Sequence, residues 1–217
     1  MKKYAFNTST YNLRTVVEEY LGNADLENLH VTDKFKGELT SAKGDYGDQK
    51  QALHRKFYNQ MDSDTRFIVT YKKLIKEIIQ PIFKEEIYYQ KFPTFRIHQP
   101  DNICVFKWHR DMDFGHSEHE TNVYLPITKA YGSNTIWAES KQDKKDYAPM
   151  EADYGQLIVW QGARLEHGNK ANETGQTRVS FDFRVLKKKH YDESRVNKSL
   201  TRNVSFSLNN YFTSLDY

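Results

Sequence analysis

A single cysteine, Cys104, stands in a chain of 217 residues. That excludes an intramolecular disulfide framework, a zinc ribbon and an iron–sulfur site, each of which needs several sulfurs. Any metal must therefore be held by nitrogen and oxygen, and 8 histidines with 29 acidic residues offer such ligands in excess. Long apolar runs are also missing, since no window approaches the ~18 residues of a membrane-spanning helix. Met1-Lys2-Lys3 resembles the start of a signal peptide, but Tyr4-Ala5-Phe6-Asn7-Thr8-Ser9-Thr10 contains no apolar core segment. With one reduced-looking thiol, the expected compartment is the cytoplasm. An excess of one charge is absent too: 32 basic against 29 acidic residues leave +3, mixed along the chain, which makes no case for nucleic acid. The densest basic run, Lys187-Lys188-Lys189, follows the last strong strand signal and reads as a solvated strand end. There is no internal repeat, proline-rich linker or low-complexity tract, so nothing marks a second domain.

What is present is a switch of period. Thr10 to Leu21 carries Leu13, Val16, Val17, Tyr20 and Leu21 at helical spacing, with Gly22-Asn23 as a stop. Asp33 to Asp48 is polar and glycine-punctuated, a long surface loop that is either a pocket lid or plain surface. Gln49 to Gln60 reads as a short helix. Asp62 or Ser63 is expected to cap a longer one, whose stripe of Phe67, Ile68, Tyr71, Leu74, Ile75, Ile78 and Ile79 ends at Pro81. After Pro81 the period falls toward 2, giving candidate strands at Ile87–Gln90, Thr94–His98, Ile103–Trp108, Thr121–Pro126, Thr135–Glu139, Gln156–Trp160 and Arg178–Leu186. Seven short strands without intervening helices predict an antiparallel sandwich or barrel. The fold class is α+β in a single domain over 1–217: a mainly helical part over 1–83, a strand-bearing core over 84–190, and a tail over 191–217 that packs on the core.

The chemistry gathers around Val105-Phe106-Lys107-Trp108-His109-Arg110-Asp111. Residues two apart on a strand share a face, so His109 and Asp111 would aim an imidazole and a carboxylate at one point. A third ligand is needed, and the best candidate is His167 in Leu165-Glu166-His167-Gly168-Asn169, just after the Leu157–Trp160 strand. Two histidines and a carboxylate on one face of an octahedron leave three positions free, the arrangement of non-haem Fe(II) oxygenases. Downstream, alternation puts Arg178, Ser180, Asp182 and Arg184 on one face and Val179, Phe181, Phe183 and Val185 on the other. Arg178 backed by a hydroxyl suits a two-point grip on a carboxylate. The eleven positions from His167, Gly175 included, allow a turn that brings Arg178 beside the metal.

HxD, a distant histidine and then an arginine followed by x-Ser resemble the Fe(II)/2-oxoglutarate-dependent oxygenases, over roughly Ile87 to Leu186. More narrowly, Trp108-His109-Arg110-Asp111, Gly115-His116, Glu120-x-Asn122, Leu125-Pro126-Ile127-Thr128 and Arg178-Val179-Ser180-Phe181-Asp182-Phe183-Arg184 resemble a small bacterial branch that includes oxygenase-like proteins of streptomycin biosynthesis. The resemblance implies a double-stranded β-helix (jelly-roll, cupin-like) core with an N-terminal helical buttress. It implies His109, Asp111 and His167 as Fe(II) ligands, and Arg178 with Ser180 as the anchor of the 2-oxoglutarate C5-carboxylate, with Asn122 placed in the same co-substrate set. It also implies hydroxylation of a small-molecule substrate with O2, releasing succinate and CO2; a halogenase would typically leave the position of Asp111 open for halide. A small metabolite, an amino acid or a sugar-containing compound, is favoured by the branch rather than by any one residue.

Other readings stay open beside it. A cupin-type isomerase or hydrolase would use the same three ligands without 2-oxoglutarate and would not need Arg178 with Ser180. A non-catalytic binding module is a third possibility, opposed by the intact triad. His116-Ser117-Glu118 is a second HxE clamp, disfavoured because it lies in a loop; His116 is either a substrate contact or an exposed loop residue. The overlap of HRD with DFG in His109 to Gly115 mimics protein kinases, but no glycine-rich phosphate loop precedes it. Gln90, Arg96 and His98 are substrate candidates, as are Trp137 and Glu139, although Trp137 would equally fill the core and Glu139 pair with an arginine. Asn122 and Tyr124 share a face that either lines the pocket or the core. Arg184 reads as a partner of Asp182 or another acid. His30, His54 and His190 are expected at the surface, and Cys104 in the interior. Nothing in the sequence fixes an oligomeric state.

Overall fold

A computed structural model describes residues 1–32, 52–105, 107–196, 198–199 and 204–215. The expected loop over Asp33 to Asp48 lies outside the described residues. The chain opens with strand β1 (Lys2–Ala5), then α1 (Leu13–Tyr20), the single turn α2 (Leu29–Thr32), α3 (Ala52–Ser63) and α4 (Arg66–Leu74), which continues through a π-helical turn, Ile75–Ile79, into α5 (Gln80–Phe83). Asp62 and Ser63, expected as caps, instead form the end of α3; it is Asp64 Oδ1 that accepts the Arg66 N–H at 2.9 Å. Pro81 does not end the helix either. It occupies the first turn of α5, after the π turn, where its missing N–H costs least, and the helix stops at Lys84 in left-handed backbone, φ 54°.

Strands β2 (Ile87–Gln90), β3 (Thr94–His98), β4 (Thr121–Pro126), β5 (Ile136–Ala138), β6 (Ala148–Pro149), β7 (Gln156–Trp160), β8 (His167–Asn169), β9 (Arg178–Lys187) and β10 (Phe212–Thr213) follow. They form a seven-stranded antiparallel sheet, ordered β1-β7-β4-β9-β2-β10 with β3 also on β9, and a three-stranded sheet, β6-β5-β8. The fold is thus a mixed one of helices and antiparallel sheets. The expected strand Ile103–Trp108 is not one: its described residues form no ladder, and only His109 makes an isolated bridge.

The alternating pattern of β9 sets the layers. Val179, Phe181, Phe183 and Val185 are fully buried against the helices, where Phe67 meets Phe181 at 4.7 Å and Phe57 stacks on Phe95 at 4.3 Å. Each such side chain contributes roughly 1.5–3 kcal/mol of transfer free energy, so the helices hold one face of the sheet by its aromatics. The other face of β9, with Arg178, Ser180, Asp182 and Arg184, is left for polar chemistry. Opposite it the register slips: Tyr89 faces Val185, yet Thr94, five residues on, faces Asp182, only three back. The two surplus residues bulge out between β2 and β3, beside that polar face.

Lys187 and Lys189 pair with Glu85, and Lys188 with Glu86, as expected of a charged strand end. His54 corrects its surface expectation: it is buried, with Nε2 3.2 Å from the Phe95 carbonyl, because α3 lays it against the Phe95 ring. Among the described residues no helix is long and apolar enough to cross a membrane.

Candidate metal centre

His109 and His167 are brought together by backbone. Each donates its N–H to the other's carbonyl at 2.9 Å, a hydrogen-bonded antiparallel pair whose side chains share a face, and the ring centroids lie 4.4 Å apart. After His109 the chain turns. Asp111 opens a 3₁₀ turn, Asp111–Phe114, docked by its N–H on the Gly162 carbonyl at 3.0 Å and by the Met112 N–H on Ala163 at 3.3 Å. The expectation of one strand presenting His109 and Asp111 is therefore corrected: they converge through a bridge and a turn pinned to the loop before β8. Gly168 makes this approach possible, since a Cβ there would stand 2.7 Å from the Trp108 indole.

The tautomers are fixed. His109 Nδ1 lies 2.7 Å from the Lys107 carbonyl and His167 Nδ1 2.9 Å from that of Leu165. Carbonyls only accept, so each Nδ1 carries a proton and turns Nε2 toward the cluster. The two Nε2 atoms face Asp111 Oδ1 at 3.5 and 3.6 Å. Burial pushes His167 down to about 4, with His109 adding to the shift, so it is neutral near pH 7. Burial alone would raise the Asp111 carboxyl; the Arg184 guanidinium beside it more than offsets that and holds it well below the usual carboxylate range. Two imidazole nitrogens and an ionised carboxylate, with ligand atoms all within 4.8 Å of one another, are a donor set that fits a divalent cation.

Asp111 Oδ2 points the other way. It accepts from Asn122 Nδ2 at 2.7 Å, Arg184 Nη2 at 2.8 Å and Arg184 Nε at 3.0 Å. Arg178 is buried with Nη1 on Ser180 Oγ at 2.7 Å and Nε on the Asn134 carbonyl at 2.9 Å, and both Arg178 and Ser180 line one narrow cavity with the three clustered residues and Asn122. A larger cavity of about 410 Å³ adjoins it, sharing His109, Asp111, Arg96 and Arg184.

Of the other expected site residues, Gln90, Arg96 and His116 line the larger cavity. Arg96 is held by Asp182 at 2.9 Å, and His116 Nδ1 by Glu120 at 2.7 Å. Trp137 and Glu139 line neither of the two cavities. The Trp137 indole donates to the Gly132 carbonyl at 2.9 Å under the Lys170 ammonium, because the pleat of β5 turns Ile136 inward in its place. Glu139, fully buried, accepts the backbone N–H groups of Glu166 at 2.8 Å and Lys145 at 3.2 Å, and so ties the loop before His167 to β5. His98 is also corrected: it is fully buried between the carbonyls of Asn134 and Asn102. Cys104 is buried as expected, on the wall of the narrow cavity.

Sequence reasoning gave the tail, expected only to pack on the core, no part in the site. Val204, Phe206, Asn210 and Tyr211 form one wall of the larger cavity, and the Phe206 ring stacks on His116 at 4.0 Å. No periodicity marks these residues; only their aromatic content hinted at burial. The reading of Arg184 as a partner of an acid holds, but its acid is Asp111 at 2.8 Å, with Asp182 farther at 3.6 Å.

No family model matches the chain. Among solved structures, it is similar to EctD from S. alaskensis with bound Fe (TM-score 0.48, 12% identity, covering 89% of this chain and 72% of that one). It is likewise similar to AviO1 from Streptomyces viridochromogenes (TM-score 0.48, 14% identity, 87% and 89%) and to a Pseudomonas putida prolyl-4-hydroxylase (TM-score 0.44, 12% identity, 86% and 92%). In sequence it is 35% identical, over 215 residues and 98% of each chain, to the streptomycin biosynthesis protein StrG of Streptomyces griseus. With 98% of its length aligned at that identity, the chain belongs to the StrG family.

Proposed function

We propose that the protein is a non-haem Fe(II)- and 2-oxoglutarate-dependent oxygenase with a jelly-roll core, a single domain acting in the cytoplasm to hydroxylate a small metabolite. The observation that carries this reading is one cavity holding both the His109, Asp111 and His167 cluster and the Arg178–Ser180 pair. His109 Nε2, His167 Nε2 and Asp111 Oδ1 would hold the iron, leaving three coordination positions. Bound there with 2-oxoglutarate and O2, iron supplies the oxidation: one oxygen atom goes to a substrate C–H bond, giving the alcohol, and the other to succinate as CO2 leaves.

The chain's own residues supply position and exclusion. Arg178 and Ser180 offer donors to the distal carboxylate of the co-substrate, a two-point grip that sets its reach toward the cluster. The larger cavity would seat the substrate against Gln90, Thr94, His116 and Tyr211, with Phe92, Phe114 and Phe206 contributing apolar faces. Its location beside the cluster would hold a substrate C–H within reach of the metal. The StrG relative's role in streptomycin biosynthesis agrees with a small-molecule substrate.

The test is anaerobic addition of Fe(II) and 2-oxoglutarate, watching for the weak visible charge-transfer band of the chelate. The band is expected in the wild type and lost in His167→Ala. Arg178→Ala should raise the 2-oxoglutarate concentration for half-formation by an order of magnitude or more. Metal binding without any band would overturn the reading in favour of a cupin-type enzyme that uses no 2-oxoglutarate.

A further inference from the structure

Arg184 stands six residues beyond Arg178 on the same face of β9, and its guanidinium spends two N–H groups on one atom, Asp111 Oδ2, at 2.8 and 3.0 Å. Asn122 Nδ2 adds a third donor at 2.7 Å. A carboxylate oxygen has about two lone-pair sites, so Oδ2 is saturated. Asn122 is itself confined, since a Cβ on Gly162 would come within 2.6 Å of its amide. The fork of Arg184 is set from behind. Its Nη1 reaches the Tyr211 hydroxyl at 3.3 Å, that hydroxyl donates to Gln90 Oε1 at 2.9 Å, and the same Oε1 accepts the Arg184 backbone N–H at 3.3 Å. Burial pushes the Tyr211 phenol up, which keeps it protonated and able to donate.

We propose that Arg184 is a positioning residue of the metal centre: it withholds Oδ2 so that Asp111 binds a cation through Oδ1 alone, and Tyr211 of the C-terminal tail locks it in that pose. This rests on the cluster being a metal site. The consequence is a coordination number. A carboxylate free to chelate through both oxygens would occupy two positions and leave two of six, whereas the fork preserves three, enough for a two-point co-substrate and one further ligand. Chelation by Oδ2 would require breaking charge-assisted bonds to a buried guanidinium. The tail therefore both walls the larger cavity and braces a metal ligand.

Co(II) titration of the metal-free protein, followed by its visible d–d absorption, tests this. Wild type is expected to bind with the weak absorption of a six-coordinate site. Arg184→Gln and Arg184→Lys, the latter keeping charge without the fork, should weaken Co(II) binding by about 10–100-fold and alter the band shape. Tyr211→Phe, which keeps the ring packing, should weaken binding several-fold in the same direction. Thermal unfolding of each metal-free variant establishes that it is folded; if Arg184→Gln is not, the Lys and Phe variants decide. Folded Arg184→Lys and Tyr211→Phe proteins with wild-type affinity and spectrum would overturn the proposal while leaving the metal site standing. A wild type that binds no Co(II) would overturn the metal-centre reading itself.

Discussion

Asp111 carries two loads that separate cleanly by atom: Oδ1 faces the imidazoles and Oδ2 answers Arg184. Its removal therefore acts on folding as well as on metal binding. Asp111→Ala leaves the buried Arg184 guanidinium without its main counter-charge, and breaking such a pair from one side costs roughly 3–5 kcal/mol. His109→Ala removes a half-buried ring and strands no charge. Urea unfolding of the metal-free variants should thus find Asp111→Ala the less stable by ~2 kcal/mol or more, although both lose Co(II) binding. Equal stability would mean that Arg184 finds sufficient compensation in Asp182, 3.6 Å away. At this scale the sequence was legible for the ligand types and for the shared face of Arg178 and Arg184. The partner of Arg184 was not legible, because it is 73 residues distant and arrives through a turn.

Between elements, the contacts that matter are made by short, irregular pieces. The bridge of His109 with His167, the 3₁₀ turn at Asp111 and the two-residue bulge between β2 and β3 bring the site together, and none has a periodic signature. Hence the described residues of Ile103–Trp108, apolar enough to suggest a strand, form loop instead. Gly168 is the tightest point of this assembly. Gly168→Ala should force Trp108 and with it His109 to move, costing about 1–3 kcal/mol and weakening Co(II) binding. Gly175→Ala is the comparison. Its Cβ meets nothing within 4 Å and only the positive φ of 73° opposes it, so a loss of about 1 kcal/mol with unchanged metal affinity is expected. A Gly168→Ala protein with wild-type Co(II) affinity would show that the Trp108 contact does not transmit to the ligands.

For the whole molecule, burial of neutral imidazoles ties stability to pH. His98 faces two carbonyls, which favours its charged form, but burial and the neighbouring Arg178 push it down to about 3, and His167 is lowered to about 4. Unfolded histidines titrate near 6.5, so the unfolded chain takes up protons that the native one does not. Stability from both groups is present above pH ~6.5 and is lost progressively as pH falls from there toward about 4 for His167 and about 3 for His98. Chemical unfolding of the metal-free protein at pH 7.5, 5.5 and 4.5 should show a decline of several kcal/mol, steepest below 6, and saturating Co(II) should raise the stability without flattening the decline above pH 5, because native His167 is already neutral there. A flat profile would mean that these imidazoles are not buried neutral. The sequence by itself determined the helical lobe, six of the strands, the alternation of β9 and the residue types of a nitrogen–oxygen metal site, because period and side-chain chemistry are local properties. Only the tertiary structure decided how Asp111 meets the two histidines, which acid Arg184 serves, that Trp137 and Glu139 face away from the cavities, and that the tail closes one wall, because each depends on long-range packing that no local pattern encodes.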